Sequence, residues 1–112
     1  MSHIVGPDLV PVRNIGRLEA VEGTVSLLRA HDVGTRYGPP NEQLDVEAIA
    51  QLAEVPGMAY GLQLRNDVRG SAGHAMFELL RDAFVAGGRV RIEYTRTGTH
   101  SGHIKRVIRL AG

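Results

Sequence analysis

His100 and His103 stand three residues apart in TGTHSGH, and His31 is followed directly by Asp32 in a second loop-like stretch. Imidazoles beside a carboxylate are the raw material of a zinc site or of an acid/base pair. A zinc site needs three or four converging ligands, and the glycine and serine around His100 and His103 predict a turn on which both rings are solvated. His74, near the start of a helical segment, reads as a surface side chain and not as a general base. With five histidines and no cysteine, the chain excludes thiol nucleophiles, disulfides and cysteine-ligated zinc. Neither a nucleophile elbow nor a phosphate loop is present: GTVSLL and GSAG lack the flanking pattern, and VRGSAGH does not run on to Gly-Lys-Ser/Thr. Gly70 and Gly73 are therefore read as turn residues, and Asp45, Glu47 and Glu54 as the polar face of their segment. No catalytic residue, metal ligand or cofactor is expected. A small-barrel enzyme built on His31, Asp32 and His100 is the third of three functional readings.

The cations make a more definite pattern. From Arg89 to the end stand Arg89, Arg91, Arg96, Lys105, Arg106 and Arg109 against the single acid Glu93, whereas the segment from Glu42 to Glu54 is acidic; the net charge is only +1. Arg89 and Arg91 share one strand parity, and Lys105 and Arg109 share the outward parity of the next strand. If those strands pair, the four cations form one patch that could contact phosphates, with Glu93 opposing them on the same face. Single-strand binders add aromatic platforms on which bases stack. Here Tyr60 and Tyr94 are expected to face inward and Phe84 to join the helix core, leaving Tyr37, beside Arg36, as the free platform. Arg89, Arg91, Lys105, Arg109, Arg36 and Tyr37 are thus the candidate residues for an anionic partner.

These residues must be held by a small frame. A length of 112 residues, 43% hydrophobic and 22% charged, fits one globular domain with a continuous core. No apolar run approaches the roughly 18 residues of a membrane span. The opening residues lack a leader pattern, and the cysteine-free composition suits a reducing compartment; no membrane partner and a cytoplasmic location are expected. Residues 1–16, with Gly6, Pro7 and Pro11, read as a flexible N-terminal arm, and 17–112 as a single domain. RLEAVEGTVSLLRAH alternates Val21, Val25 and Leu27 against Glu22, Thr24 and Ser26, which predicts a long strand with a bulge or bend at Gly23. Asp32 to Gln43 is a loop rich in glycine and proline, long enough to suggest function.

Asp45 to Val55 admits a helix capped by Asp45 and stopped by Pro56-Gly57, which would make the fold α+β. It equally admits a strand, with Leu44, Val46, Ala48, Ala50 and Leu52 alternating, and the following MAYGLQLR alternates too; two such runs around EVPG predict a hairpin. SAGHAMFELLRDAFVAGG then repeats apolar residues Ala72, Met76, Leu79, Leu80, Ala83 and Phe84 at threes and fours, with Ser71 as cap and Gly87-Gly88 as stop. RVRIEYTR and HIKRVIRL read as two closing strands, with Val90, Ile92, Tyr94, Ile104, Ile108 and Leu110 inward.

Three strands, the helix SAGHAMFELLRDAF lying between MAYGLQLR and RVRIEY, and two further strands make an order that resembles the oligonucleotide/oligosaccharide-binding (OB) fold, a five-stranded, partly open barrel with a helix between its third and fourth strands. The resemblance spans roughly Arg17 to Leu110 and implies a fold, not a function. Ile49 and Val107 break the polar parity of their strands and are expected to be exposed unless a partner covers them. The leading reading is therefore a non-catalytic module for protein–protein interaction or homo-oligomerisation; binding of single-stranded nucleic acid through the basic C-terminal strands is the second.

Overall fold

The computed structural model describes residues 15–65 and 70–111. Its elements are β1 (Leu18–Ala30), β2 (Ala48–Leu52), β3 (Ala59–Leu62), α1 (Gly70–Ala86), β4 (Arg89–Gly98) and β5 (Ser101–Arg109). The strands form a closed barrel in the order β1-β2-β3-β5-β4, antiparallel except between β3 and β5. The mostly-β class and the single helix between the third and fourth strands are as expected, and the barrel is OB-like at a coarse level. It is closed where a partly open one was expected. The segment 45–55 is not helical: β2 and β3 pair as a hairpin, Ala48 opposite Leu62 and Ala50 opposite Tyr60. Residues 1–14 of the expected arm, together with residues 66–69, lie outside the described residues; Gly16 donates its N–H to the Arg96 carbonyl at 2.7 Å.

Closure rests on β1, whose first half pairs with β4 and whose second half pairs with β2. Gly23 lies in regular register opposite Val90, and the register break falls two residues later, between Val25 and Leu27. One extra residue there reverses the side-chain alternation. Leu28, not Leu27, consequently packs against the core, while Leu27 turns outward. A second break does the same in β5. Glu93 pairs with Arg106 and Tyr94 with Ile104, so Lys105 is the extra residue and Val107 becomes the inward neighbour of Ile92. Val107 is buried and Ile108 only partly so, the reverse of the simple alternation. The interior is filled by Val25, Leu52, Tyr60, Leu62, Val90, Ile92, Tyr94 and Ile104, with Leu80 and Ala83 of α1 as the plug.

The helix lies close because its contact face is built from small residues. Gly70 and Gly73 are buried helix positions and not turn residues. A Cβ at Gly70 would strike the Arg65 carbonyl oxygen, and one at Gly73 the Gln63 carbonyl oxygen. Burial follows Gly73, Leu80 and Ala83, with Met76 and Phe77 flanking. Phe84, one position beyond that stripe, is 44% exposed instead of buried. Ser71 falls inside the first turn and is not the cap. At the other end Gly87 adopts φ 68°, and the Gly88 and Gly87 amides return to the carbonyls of Ala83 and Phe84, the paired bonds of a Schellman stop.

Two further expectations are overturned by a second cluster on the outer face of β2–β3. Ile49 is completely buried, covered by Leu44, Val46 and Tyr37 of the chain's own 31–47 loop together with Ala59. Glu47, expected on a polar face, is also buried, and its carboxylate accepts from the Leu64 amide at 2.8 Å and from the Arg65 guanidinium at 2.9 Å. A buried charge is tolerated because it is paired and hydrogen-bonded in this way.

Tyr60 stacks edge-on against Tyr94 at 4.9 Å, and its buried hydroxyl has no hydrogen-bond partner among the described residues. Tyr60→Phe is therefore expected to leave stability unchanged or raise it by about 1 kcal/mol in urea unfolding. Ile49→Ala is expected to cost about 2–4 kcal/mol, by the same amount at low and high protein concentration, because the cover is intramolecular.

Candidate functional site

The loop joining β1 to β2 is closed at its neck. The His31 amide donates to the Glu47 carbonyl and the His31 ring Nε2 to the Val46 carbonyl, both at 2.7 Å. Beyond the neck, Asp32 accepts from the Val33 and Thr35 amides to form a turn. Tyr37 and Leu44 then exchange both backbone hydrogen bonds, at 3.1 and 2.7 Å. This bridge folds the loop back along the sheet, with Gly38 at φ 110° in the reversal. Gly61 makes the room: a side chain there would collide with the methyl groups of Val46.

Between this loop, the outer face of β2–β3 and the start of β5 lies a cleft of about 260 Å³. Tyr37, Pro39, Leu44 and Ala59 give it apolar walls, and Gln51, Glu42 and Ser101 supply polar groups. Glu42 is the pivot. Its Oε1 accepts from the His100 amide at 2.6 Å and from the Ser101 hydroxyl at 2.9 Å, and its Oε2 lies 3.4 Å from His100 Nδ1. The carboxylate sits between serine and histidine, so Ser101 donates to an acid and not to an imidazole; this is not the nucleophile–base order of a hydrolase. It is a latch tying the 31–47 loop to the two-residue β4–β5 turn.

That turn is itself held from beneath. Arg96, 14% exposed, binds Glu19 through two parallel contacts of 2.6 and 2.9 Å and donates to the carbonyls of Gly98 and Thr99. The Tyr94 hydroxyl donates to the same glutamate at 3.2 Å. Glu19 thus anchors Arg96, Arg96 fixes residues 98–99, and the following His100 and Ser101 fix Glu42. The Glu19 carboxyl is held below its ordinary 4.5 by the Arg96 hydrogen bond, against burial. For Glu42, burial is the largest influence and opposes ionisation, but the His100 and Ser101 donors together outweigh it and the net shift is downward.

The residues selected from sequence are only partly brought together. Arg89 and Arg91 do share the outer face of β4, but Arg89 lies 3.8 Å from Glu22, and Arg91 lies 3.5 Å from Glu22 and 3.1 Å from Glu93. Arg106 joins them at 3.3 Å from Glu93. The bulge sets Lys105 apart, beside Leu62, Met76 and Ile104 in a groove under α1. Arg109 pairs opposite the inward Val90 and turns its guanidinium over Gly88, donating to the Arg89 and Leu110 carbonyls. One face therefore carries three arginines interleaved with two glutamates, not a uniform cationic patch. Arg36 is exposed on the rim of a shallow trough next to the cleft. Tyr37 is half-buried, with Arg29 stacked 5.4 Å from its ring centre, and is not a free platform.

His31 and Asp32 hydrogen-bond within the loop itself, and no group of three or more metal-ligating side chains gathers among the described residues. No helix among them is long and apolar enough to cross a membrane. Glu42, Ser101, Gln51, Ala59 and Arg96 escaped sequence reasoning. Only Arg96 left a trace, as an arginine at the inward parity of β4. Compared with known proteins, the chain matches no family model, curated protein or solved structure.

A carboxylate whose folded pKa is depressed gives stability that is complete above its unfolded pKa and is lost as pH falls through the folded value. Stability measured by urea unfolding is therefore expected to decline from about pH 5 to about pH 3, with a shallower slope in Glu42→Gln. Parallel curves would show that the latch carries no linked proton.

Proposed function

We propose that this chain is a non-catalytic protein-binding module whose partner, another copy of the chain included, docks at the cleft between the 31–47 loop and the β4–β5 turn. The observation that carries this reading is the cleft itself: apolar walls, a few converging polar groups and a built loop around it, the usual make-up of a recognition site. Catalysis is disfavoured by the order of Ser101, Glu42 and His100 and by the internal engagement of His31 and Asp32. Nucleic acid is the weaker partner class, since the arginines of β4 and β5 face glutamates and the cleft presents a carboxylate. We place the module in the cytoplasm, on the cysteine-free composition.

Selection of displayed random peptides on the immobilised protein, repeated on a Gln51→Phe variant that fills the cleft floor, tests the reading. A shared peptide motif whose binding drops at least about tenfold on the variant, roughly 1.4 kcal/mol, is the expected result. Motifs indifferent to the substitution, or none at all, would overturn it. In parallel, labelled single-stranded DNA and RNA are expected to bind no tighter than about 0.1 mM at low salt.

A further inference from the structure

Among the described residues, Glu19, Glu42, Glu47 and Glu93 are the carboxylates drawn in from solvent, with side chains 31, 17, 4 and 16% exposed. Three of them hold a guanidinium: Arg96 at 2.6 Å for Glu19, Arg65 at 2.9 Å for Glu47 and Arg91 at 3.1 Å for Glu93. Glu42 differs. Its donors are a backbone amide, a hydroxyl and one imidazole at 3.4 Å, and among the described residues no lysine or arginine lines the cleft it borders. Neutral donors and one imidazole already hold the Glu42 charge, and a cation at its remaining acceptor position would add the ion pair that the other three sites have.

We infer that the cleft receives a lysine or arginine side chain of the partner protein, its methylene stem against Tyr37, Leu44 and Ala59 and its cation at the Glu42 carboxylate. This rests on the protein-binding reading above and adds the chemistry of the anchor. A carboxylate accepts about four hydrogen bonds and Glu42 uses three. The longest, to the exposed His100 ring, is the one an incoming cation displaces. The two short bonds, to the His100 amide and Ser101 hydroxyl, stay in place and keep the carboxylate aimed. An apolar wall leading to one anion matches a side chain that is itself a hydrocarbon stem with a charged tip. The same geometry rejects phosphates and carboxylates, which would meet a like charge.

The test compares Nα-acetyl-lysine methylamide with its norleucine isostere, which keeps the stem and lacks the ammonium. Each is titrated into the ¹⁵N-labelled full chain at matched ionic strength, following the amides of Gln51, Ala59, His100 and Ser101. Saturable shifts with lysine, about five- to tenfold weaker binding of norleucine and loss of that difference in Glu42→Gln are expected. Glutamine still accepts from the His100 amide and Ser101 hydroxyl, and the variant's own spectrum reports whether the loop is intact; the lysine–norleucine comparison needs no variant. Equal binding of the two probes overturns the cationic anchor while leaving an apolar binding cleft. No shift with either overturns the cleft as a side-chain site altogether.

Discussion

One strand must serve two neighbours, and the rest of the barrel follows from that. β1 pairs along Leu18–Thr24 with β4 and along Val25–Ala30 with β2, so it has to leave one sheet direction and enter another without losing its hydrogen bonds. The register break between Val25 and Leu27 is where it does so. A bulge adds bend and twist at the expense of one unpaired residue, and small barrels close at such points. The second break, at Lys105 of β5, lets the other side of the ring follow the same curvature. Each break inverts inside and outside for the residues beyond it, which decides that Leu28 and Val107 are core residues.

The outer face of β2–β3 shows a different economy. Most of a barrel's exterior is polar, but Ile49 and Ala59 point outward and are apolar. They are buried because the β1–β2 loop, pinned at its neck by His31 and reversed at the Tyr37–Leu44 bridge, lies down upon them. The loop therefore adds a thin second core to the domain. Its far end is tied through Glu42 to the β4–β5 turn and to Ser101 at the start of β5, and the space between that tie and the outer face of β2–β3 is the cleft. The loop's length, too great for a plain connection, is explained by this covering role.

What the sequence made legible and what it hid have separate physical causes. The alternations in Ala48–Leu52 and Met58–Leu62, the threes and fours of α1, and the Gly87-Gly88 stop are local signals, and local structure obeys them. Alternation failed at Leu27 and Val107 because a one-residue bulge carries no residue-type signature. It failed at Ile49 because a strand covered on both faces has no polar side to report. Gly73 was misread because glycine serves tight packing against a carbonyl as readily as it serves a turn. The cleft was invisible for a further reason: Glu42, Gln51 and Ser101 come from a loop, a strand and a turn, and only closure of the barrel makes them neighbours. The basic strands were read correctly as residues and wrongly as a patch, because Glu22 arrives from β1, 69 positions before Arg91.

The ring has a seam. β3 and β5 share only three residue pairs, Ala59 with Ser101, Tyr60 with Gly102 and Gly61 with His103, and past His103 the strand neighbour gives way to the helix. All other joints in the barrel are at least as long and antiparallel. The β2–β3 join is equally short at three pairs, but it is antiparallel, and parallel pairing is slightly the less stable per residue. Tyr60 sits at the centre of the seam, so opening this join would bring water to a buried hydroxyl that has no partner among the described residues.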